Sequence, residues 1–329
     1  MKLLRKLLFP FSIIYAAITA LRNRLYNLGW LESHSYNLPI ICVGNLSTGG
    51  TGKSPMVEFL VKTLKQNNKV AVLSRGYKRK TKGFRTVTVS STVSEVGDEP
   101  LQFKKKFPEV DVAVCEIRSN GIDQLKSNAD IIILDDAFQH RRVNASLSIL
   151  LTSYGDLYVD DYVLPTGNLR EPRSGANRAE VLVVTKCPET LSNSERNKIE
   201  RKLKPKKHQQ VYFSKIVYSK EIIGEGKTES INFLQDIKFT LVTGIANPNP
   251  FISFLENHDL NFSHKSFPDH HDFSSAEIDK LDQEGVILTT EKDYMRLQPF
   301  INKAKLYYLP ITISFLNGDT ERFIKRIES

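Results

Sequence analysis

Cysteine is scarce in this chain: three in 329 residues, Cys42, Cys115 and Cys187, each in an apolar, strand-like stretch and none at metal-ligand spacing. That speaks against a disulfide framework and a structural zinc, and for reduced, packed thiols in a cytoplasmic compartment. A membrane-spanning run is missing too. The uncharged stretch Leu7 to Leu21 is broken by Pro10 and stops short of the roughly twenty residues a spanning helix needs. Acidic residues are outnumbered, 37 against 46 Lys and Arg, for a net charge of +9. The excess is clustered: Lys2, Arg5 and Lys6 open the chain, Arg75 to Arg85 holds six cations, and Lys104 to Lys106 follows. Charge alone leaves nucleic acid, anionic lipid and simple solubility open.

The strongest signal is the stretch Cys42-Val43-Gly44-Asn45-Leu46-Ser47-Thr48-Gly49-Gly50-Thr51-Gly52-Lys53-Ser54. A β-branched run leads in, and a helical pattern (Val57, Leu60, Val61, Leu64) leads out. Strand, glycine-rich loop and helix in that order is what a phosphate-binding loop requires. Loop amides and the helix N-terminus would cradle phosphate oxygens, so Ser47 to Ser54 are candidate ATP-binding residues. Lys53 would reach the β- and γ-phosphates and Ser54 would ligate Mg²⁺. The usual pattern's first glycine is absent, replaced by Ser47; Gly49 and Gly50 compensate.

Apolar runs at Val70–Leu73, Val110–Cys115, Ile131–Leu134, Leu147–Leu151 and Val181–Val184 alternate with helix-length segments. This predicts a mostly parallel sheet with helices on both faces, an α/β P-loop architecture. The run Ile131-Ile132-Ile133-Leu134-Asp135-Asp136 ends in carboxylates that a strand would place beside the phosphate loop to hold Mg²⁺. Adjacent strand residues face opposite ways, so Asp135 and Asp136 are expected to differ in task. Asp98 and Glu99 open a helix and read by default as capping acids.

Residues 1–35 form a basic–apolar–basic segment. Arg22-Asn23-Arg24 is a poor signal-peptidase site, which favours a helix lying in a membrane interface over a cleaved leader or a packed surface helix. The P-loop domain is expected over 36–208, connecting strands over 209–235, and a smaller α/β domain over 236–329. In that last part, Phe267-Pro268-Asp269-His270-His271-Asp272-Phe273 is the loop that stands out, and Thr289-Thr290-Glu291-Lys292-Asp293 ends a strand.

Taken together, Val43-Gly44-Asn45-Leu46 before the loop, Ser74-Arg75-Gly76-Tyr77, Val96-Gly97-Asp98-Glu99-Pro100, Asp135-Asp136-Ala137-Phe138-Gln139-His140-Arg141 and Gly167-Asn168-Leu169-Arg170-Glu171-Pro172 resemble the tetraacyldisaccharide 4′-kinase family, the lipid A kinases of Gram-negative bacteria. The match runs nearly the whole chain in order, and that family's phosphate loop also carries the serine. The resemblance implies ATP and Mg²⁺ as cofactors and transfer of the γ-phosphate to the 4′-hydroxyl of a tetraacylated glucosamine disaccharide 1-phosphate. It implies a peripheral enzyme on the cytoplasmic face of the inner membrane, docked through its N-terminal helix, with no nucleic-acid partner.

Residue by residue, the resemblance makes Asp98 the acceptor of the sugar hydroxyl's proton and His270 its orienting partner, with His271 the lesser candidate. It places Ser54, Asp135, Asp136 and Glu171 around the metal without deciding which acid touches it. Arg75, Tyr77, Asp98, Gln139 and Arg170 are its substrate contacts; Lys78, Arg79 and Arg85 join Arg75 as head-group candidates. The alternative is a membrane-associated regulatory P-loop ATPase. Guanine specificity lacks support, because Thr185-Lys186-Cys187-Pro188 has no aspartate where T-K-x-D requires one.

Overall fold

The computed structural model describes residues 5–328, so the expected N-terminal cation Lys2 lies outside the described residues. Eight strands come first: β1 (Ile40–Asn45), β2 (Val70–Ser74), β3 (Arg85–Thr86), β4 (Asp111–Val114), β5 (Ile131–Asp135), β6 (Leu147–Ser153), β7 (Val181–Thr185) and β8 (Gln210–Tyr218). Then follow β9 (Glu221–Gly224), β10 (Lys227–Ser230), β11 (Phe239–Thr243), β12 (Phe262–Ser266), β13 (Val286–Thr289), β14 (Lys305–Tyr308) and β15 (Ile311–Phe315). A nine-stranded sheet has the order β15-β8-β7-β6-β1-β5-β2-β4-β3, parallel except for its two edge strands. Burial on both faces explains the continuous apolar runs. In β1, Ile41 and Val43 enter one core while Ile40 and Cys42 enter the other, and β5 repeats the alternation with Ile131 and Ile133 against Ile132 and Leu134.

The helices on the N-terminal side are α1 (Phe9–Asn27), α2 (Lys53–Leu64), α3 (Val93–Val96), α4 (Asp98–Lys106) and α5 (Arg118–Leu125). Those after β7 are α6 (Asn193–Leu203), α7 (Asn249–Glu256), α8 (Ser275–Leu281), α9 (Glu291–Leu297) and α10 (Asp319–Glu328). A second sheet, β10-β9-β14-β13-β11-β12, carries its own core around Phe239, Leu241, Leu255 and Leu288. The sheets divide the chain differently from the expected 208 and 236 boundaries. Within 209–235, β8 belongs to the first sheet, paired to β7. After the second sheet is complete, β15 and α10 return to the first, where Phe323 and Ile327 join its core. Local pattern marks a strand but not its partner, so a crossover back into an earlier sheet leaves no trace in the run itself.

Helix α1 is inverted. Its polar side chains face the protein: Ser12 bonds Thr166 at 2.7 Å, Tyr15 donates to the Arg170 carbonyl, and Asn23 donates to Glu171. Phe9, Phe11, Ile13, Ile14, Ile18 and Leu21 point outward. Among the described residues no helix is long and apolar enough to cross a membrane.

Candidate active site

The phosphate loop runs from β1 into α2. Asn45, fully buried, donates to Thr51 Oγ1 at 2.7 Å and to the Gly49 carbonyl, which curls the loop from inside. Gly52 sits at φ +85°, a left-handed conformation that suits glycine and lets Lys53 begin the helix. Where the first glycine is missing, the backbone is extended instead. Ser47 bridges Leu169, Thr48 N–H donates to the Asn168 carbonyl, and Arg170 N–H donates to Leu46. A side chain is therefore tolerated at Ser47, because this stretch pairs like a strand. From the far side, Thr185 and Lys186 donate to the carbonyls of Thr51 and Gly50 at 2.8 and 2.5 Å.

Acids gather at the mouth of the loop. Asp135, at the end of β5, accepts from Ser74 at 2.9 Å through Oδ2, while its buried Oδ1 has no hydrogen-bond partner among the described residues. Burial, with Glu99 and Asp136 nearby, pushes its carboxyl up to about 7. Asp136 turns away at φ +45° and accepts from Arg170 at 2.9 Å, with Lys53 Nζ 3.7 Å distant. The two acids do differ in surroundings, as alternation requires. Ser54 donates to Glu99 at 2.7 Å, and Lys292 pairs with the same carboxylate. Burial, with Asp98 beside it, would raise Glu99; Lys292 and Lys53 together hold the group low.

An unpartnered buried carboxylate oxygen among mutually repelling acids fits a divalent cation. Among the described residues no three acidic, thiol or imidazole side chains are gathered as a preformed metal cage. Mg²⁺ seldom uses such a cage, taking one or two carboxylates with phosphate and water oxygens. Glu171 stands apart from this expectation. It is almost fully buried, and its oxygens are occupied by Arg178 at 2.8 and 2.9 Å, Asn23 at 2.6 Å and Gln139 at 3.1 Å, so its carboxylate is committed to holding α1 and the 170–178 segment.

Asp98 and His270, 172 residues apart in sequence, meet at 2.9 Å between Oδ2 and Nδ1. Gly97, at φ +90°, turns the chain from α3 into α4 and aims Asp98 at the seam. Burial would raise the Asp98 carboxyl, but the His270 hydrogen bond with Lys292 and Arg296 holds it well below the usual range. His270 is itself left-handed at φ +54°; Lys78 donates to its carbonyl at 2.8 Å and the Tyr77 ring stands edge-on to its imidazole. His271 instead meets Glu277, the capping acid of α8, at 3.0 Å. Four of the seven non-glycine residues with positive φ among those described (Lys78, Asp136, Lys186, His270) surround this cleft. Such conformations concentrate at functional sites.

The basic segment separates. Arg79 is spent on Glu116 and the Gly83 carbonyl, and Arg85 on Glu95, so these two head-group candidates serve the loop itself. Arg75 and Tyr77 stay exposed at the cleft. Gln139 donates to the Asn45 carbonyl and Arg170 grips Asp136, which makes both neighbours of the acid group. Sequence reasoning missed the contributions of Glu99, Lys186, Lys292 and Arg296. The one available signal was the cluster Glu291-Lys292-Asp293 after a capping Thr290, which read only as the end of a strand.

A model of the tetraacyldisaccharide-1-P 4′-kinase family matches residues 4–329. The tetraacyldisaccharide 4′-kinase of Flavobacterium johnsoniae is 50% identical over 96% of this chain and 94% of its own. That of Bacteroides thetaiotaomicron is 41% identical over 98% and 92%. The crystal structure of LpxK from Aquifex aeolicus in complex with ATP superimposes with a TM-score of 0.79 at 30% identity, covering 98% of this chain and 99% of that one. Matched over nearly its whole length in sequence and in fold, the chain belongs to the tetraacyldisaccharide-1-phosphate 4′-kinase family.

Proposed function

We propose that this protein transfers the γ-phosphate of ATP to the 4′-hydroxyl of a tetraacylated glucosamine disaccharide 1-phosphate, giving the bis-phosphorylated lipid A precursor. The observation that carries the reading is the Asp98–His270 pair, one residue from the acid that holds Ser54 of the phosphate loop. In the transfer, the 4′-oxygen bonds to Pγ and the bond from Pγ to the bridging oxygen breaks, with ADP keeping the electron pair. The hydroxyl proton passes to Asp98, while Lys53 and the loop amides stabilise charge on the phosphoryl oxygens. A carboxylate held as low as Asp98 is a weak base. It therefore collects the proton late, once bonding to phosphorus has made the hydroxyl acidic, and its value lies in placement.

Ser54, Asp135 and Asp136 would hold Mg²⁺, which supplies charge neutralisation at the β- and γ-phosphates when bound. Arg75 and Tyr77 meet the disaccharide and its 1-phosphate, with Gln139 and Arg170 behind them. The outward apolar residues of α1, beside Arg22 and Arg24, dock the protein peripherally on the cytoplasmic face of the inner membrane.

The deciding experiment is ³²P transfer from ATP to tetraacyl disaccharide 1-phosphate in detergent. Labelled lipid is expected from the wild type, and none from Asp98→Ala, which still binds ATP. Hydrolysis of ATP without a lipid product would favour a regulatory ATPase instead.

A further inference from the structure

The catalytic pair is not held by its own loops alone. Helix α9, from the second sheet's unit, reaches across the seam with Arg296, whose side chain is 7% exposed. Its Nη1 donates to Asp293 Oδ1 at 2.9 Å, and its Nη2 pairs with Asp98 Oδ2. Asp293 is fully buried and saturated in turn: its Oδ2 accepts from the Gly244 N–H and from Thr290 Oγ1, each at 2.8 Å. Arg296 is thus a fork fixed at one prong by a rigid acid and pressed at the other against Asp98.

The consequence concerns which oxygen of Asp98 is free. With the His270 proton on Nδ1, as an ionised carboxylate partner requires, Oδ2 accepts from both His270 Nδ1 and Arg296 Nη2, the latter also lying 3.1 Å from that ring nitrogen, and both its lone-pair directions are used. Among the described residues Oδ1 accepts only the Glu99 N–H at 2.9 Å, the start of its own helix, and keeps one direction open. We infer that Arg296 is a positioning residue for phosphoryl transfer, locking Oδ2 of Asp98 so that Oδ1 is the atom presented to the sugar hydroxyl. This rests on the reading of Asp98 as proton acceptor. A planar fork holds two carboxylates at a fixed separation and angle, which a lysine ammonium on a flexible stem does less rigidly, so arginine suits this position. The second unit supplies the orientation of a group that sits on the first, and the site is incomplete without the seam.

The inference is tested by assaying Arg296→Met, Arg296→Lys and Asp98→Asn in the full chain, with kcat, KM for ATP and for lipid, and thermal unfolding measured for each. Arg296→Met should lower kcat about a hundredfold, the scale of a misplaced reacting group, with KM for ATP within about twofold of wild type. Arg296→Lys should recover part of that loss, to about tenfold below wild type. Arg296→Met within about threefold of the wild-type kcat overturns the inference. If that variant does not fold, Arg296→Lys decides, and a wild-type kcat there overturns it equally. A raised KM for ATP with unchanged kcat would assign Arg296 to the fold of the seam and also overturns it. Asp98→Asn keeps the two failures apart. If it retains more than about a tenth of the wild-type rate, the proton-acceptor reading itself falls; if it is inactive while Arg296→Met is normal, only the positioning role is lost.

Discussion

Asp98 shows how far a residue's surroundings can depart from its local role. By sequence it opens a helix; in the fold it sits where His270, Arg296 and Lys292 converge from another unit. Lys53 has the opposite history, since its loop and helix follow from a contiguous motif. Lys53→Ala should lower kcat on the order of 10²–10³-fold, the cost of removing one preorganised charge donor from a transferring group, measured in the ³²P assay at saturating ATP. Among the acids, Asp135→Asn removes the buried oxygen that lacks a partner. It should abolish the gain in thermal stability that Mg²⁺ with ATP gives the wild type, read as the shift in Tm on adding both.

Helix α1 binds the body through Ser12, Tyr15 and Asn23 and turns its apolar residues outward, the reverse of an ordinary surface helix. A contiguous exposed apolar face marks a contact surface, and a lipid interface would cover it without burying the helix's polar side. Ile14→Asp with Ile18→Asp, at positions 58% and 62% exposed, should cut co-sedimentation with anionic vesicles at least about tenfold. The same pair should leave the rate on detergent-dispersed substrate near wild type, because neither residue reaches the cleft. Unchanged sedimentation would remove α1 from membrane docking.

At the scale of the whole molecule, the seam between α4 and α9 ties the two units together. Lys106 of α4 pairs with Glu58 of α2 at 2.7 Å and with Glu291 of α9 at 2.9 Å, two buried acids sharing one ammonium. Burial first, then Glu58, pushes the Glu291 carboxyl from 4.5 to about 7. A folded-state pKa raised above the unfolded one means the folded protein holds the proton more tightly. The stability linked to Glu291 is therefore complete below about pH 4.5 and lost as pH rises through about 7. Glu291→Gln should flatten the decline in Tm between pH 6 and pH 8, measured by thermal unfolding without nucleotide. A decline equal to wild type would place the titrating group elsewhere.

Several parts of this protein were legible in order along the chain. The phosphate loop, the strand ending in Asp135-Asp136 and the alternation of apolar runs are each written in contiguous residues, and each names its structure through local periodicity and turn chemistry. The match of several spaced motifs to one family also pointed to Asp98 with His270. What remained hidden was long-range. That β8 and β15 lie side by side, that Glu171 is consumed by Arg178 and α1, and that Arg79 and Arg85 serve their own loop follow from partner choice among distant groups. Local pattern determined which elements form, because dihedral preference and burial periodicity act over a few residues. Tertiary packing alone decided that a helix near the C-terminus would bring Lys292 and Arg296 to the acids of α4, because a buried charge is satisfied by whichever opposite charge the fold carries to it.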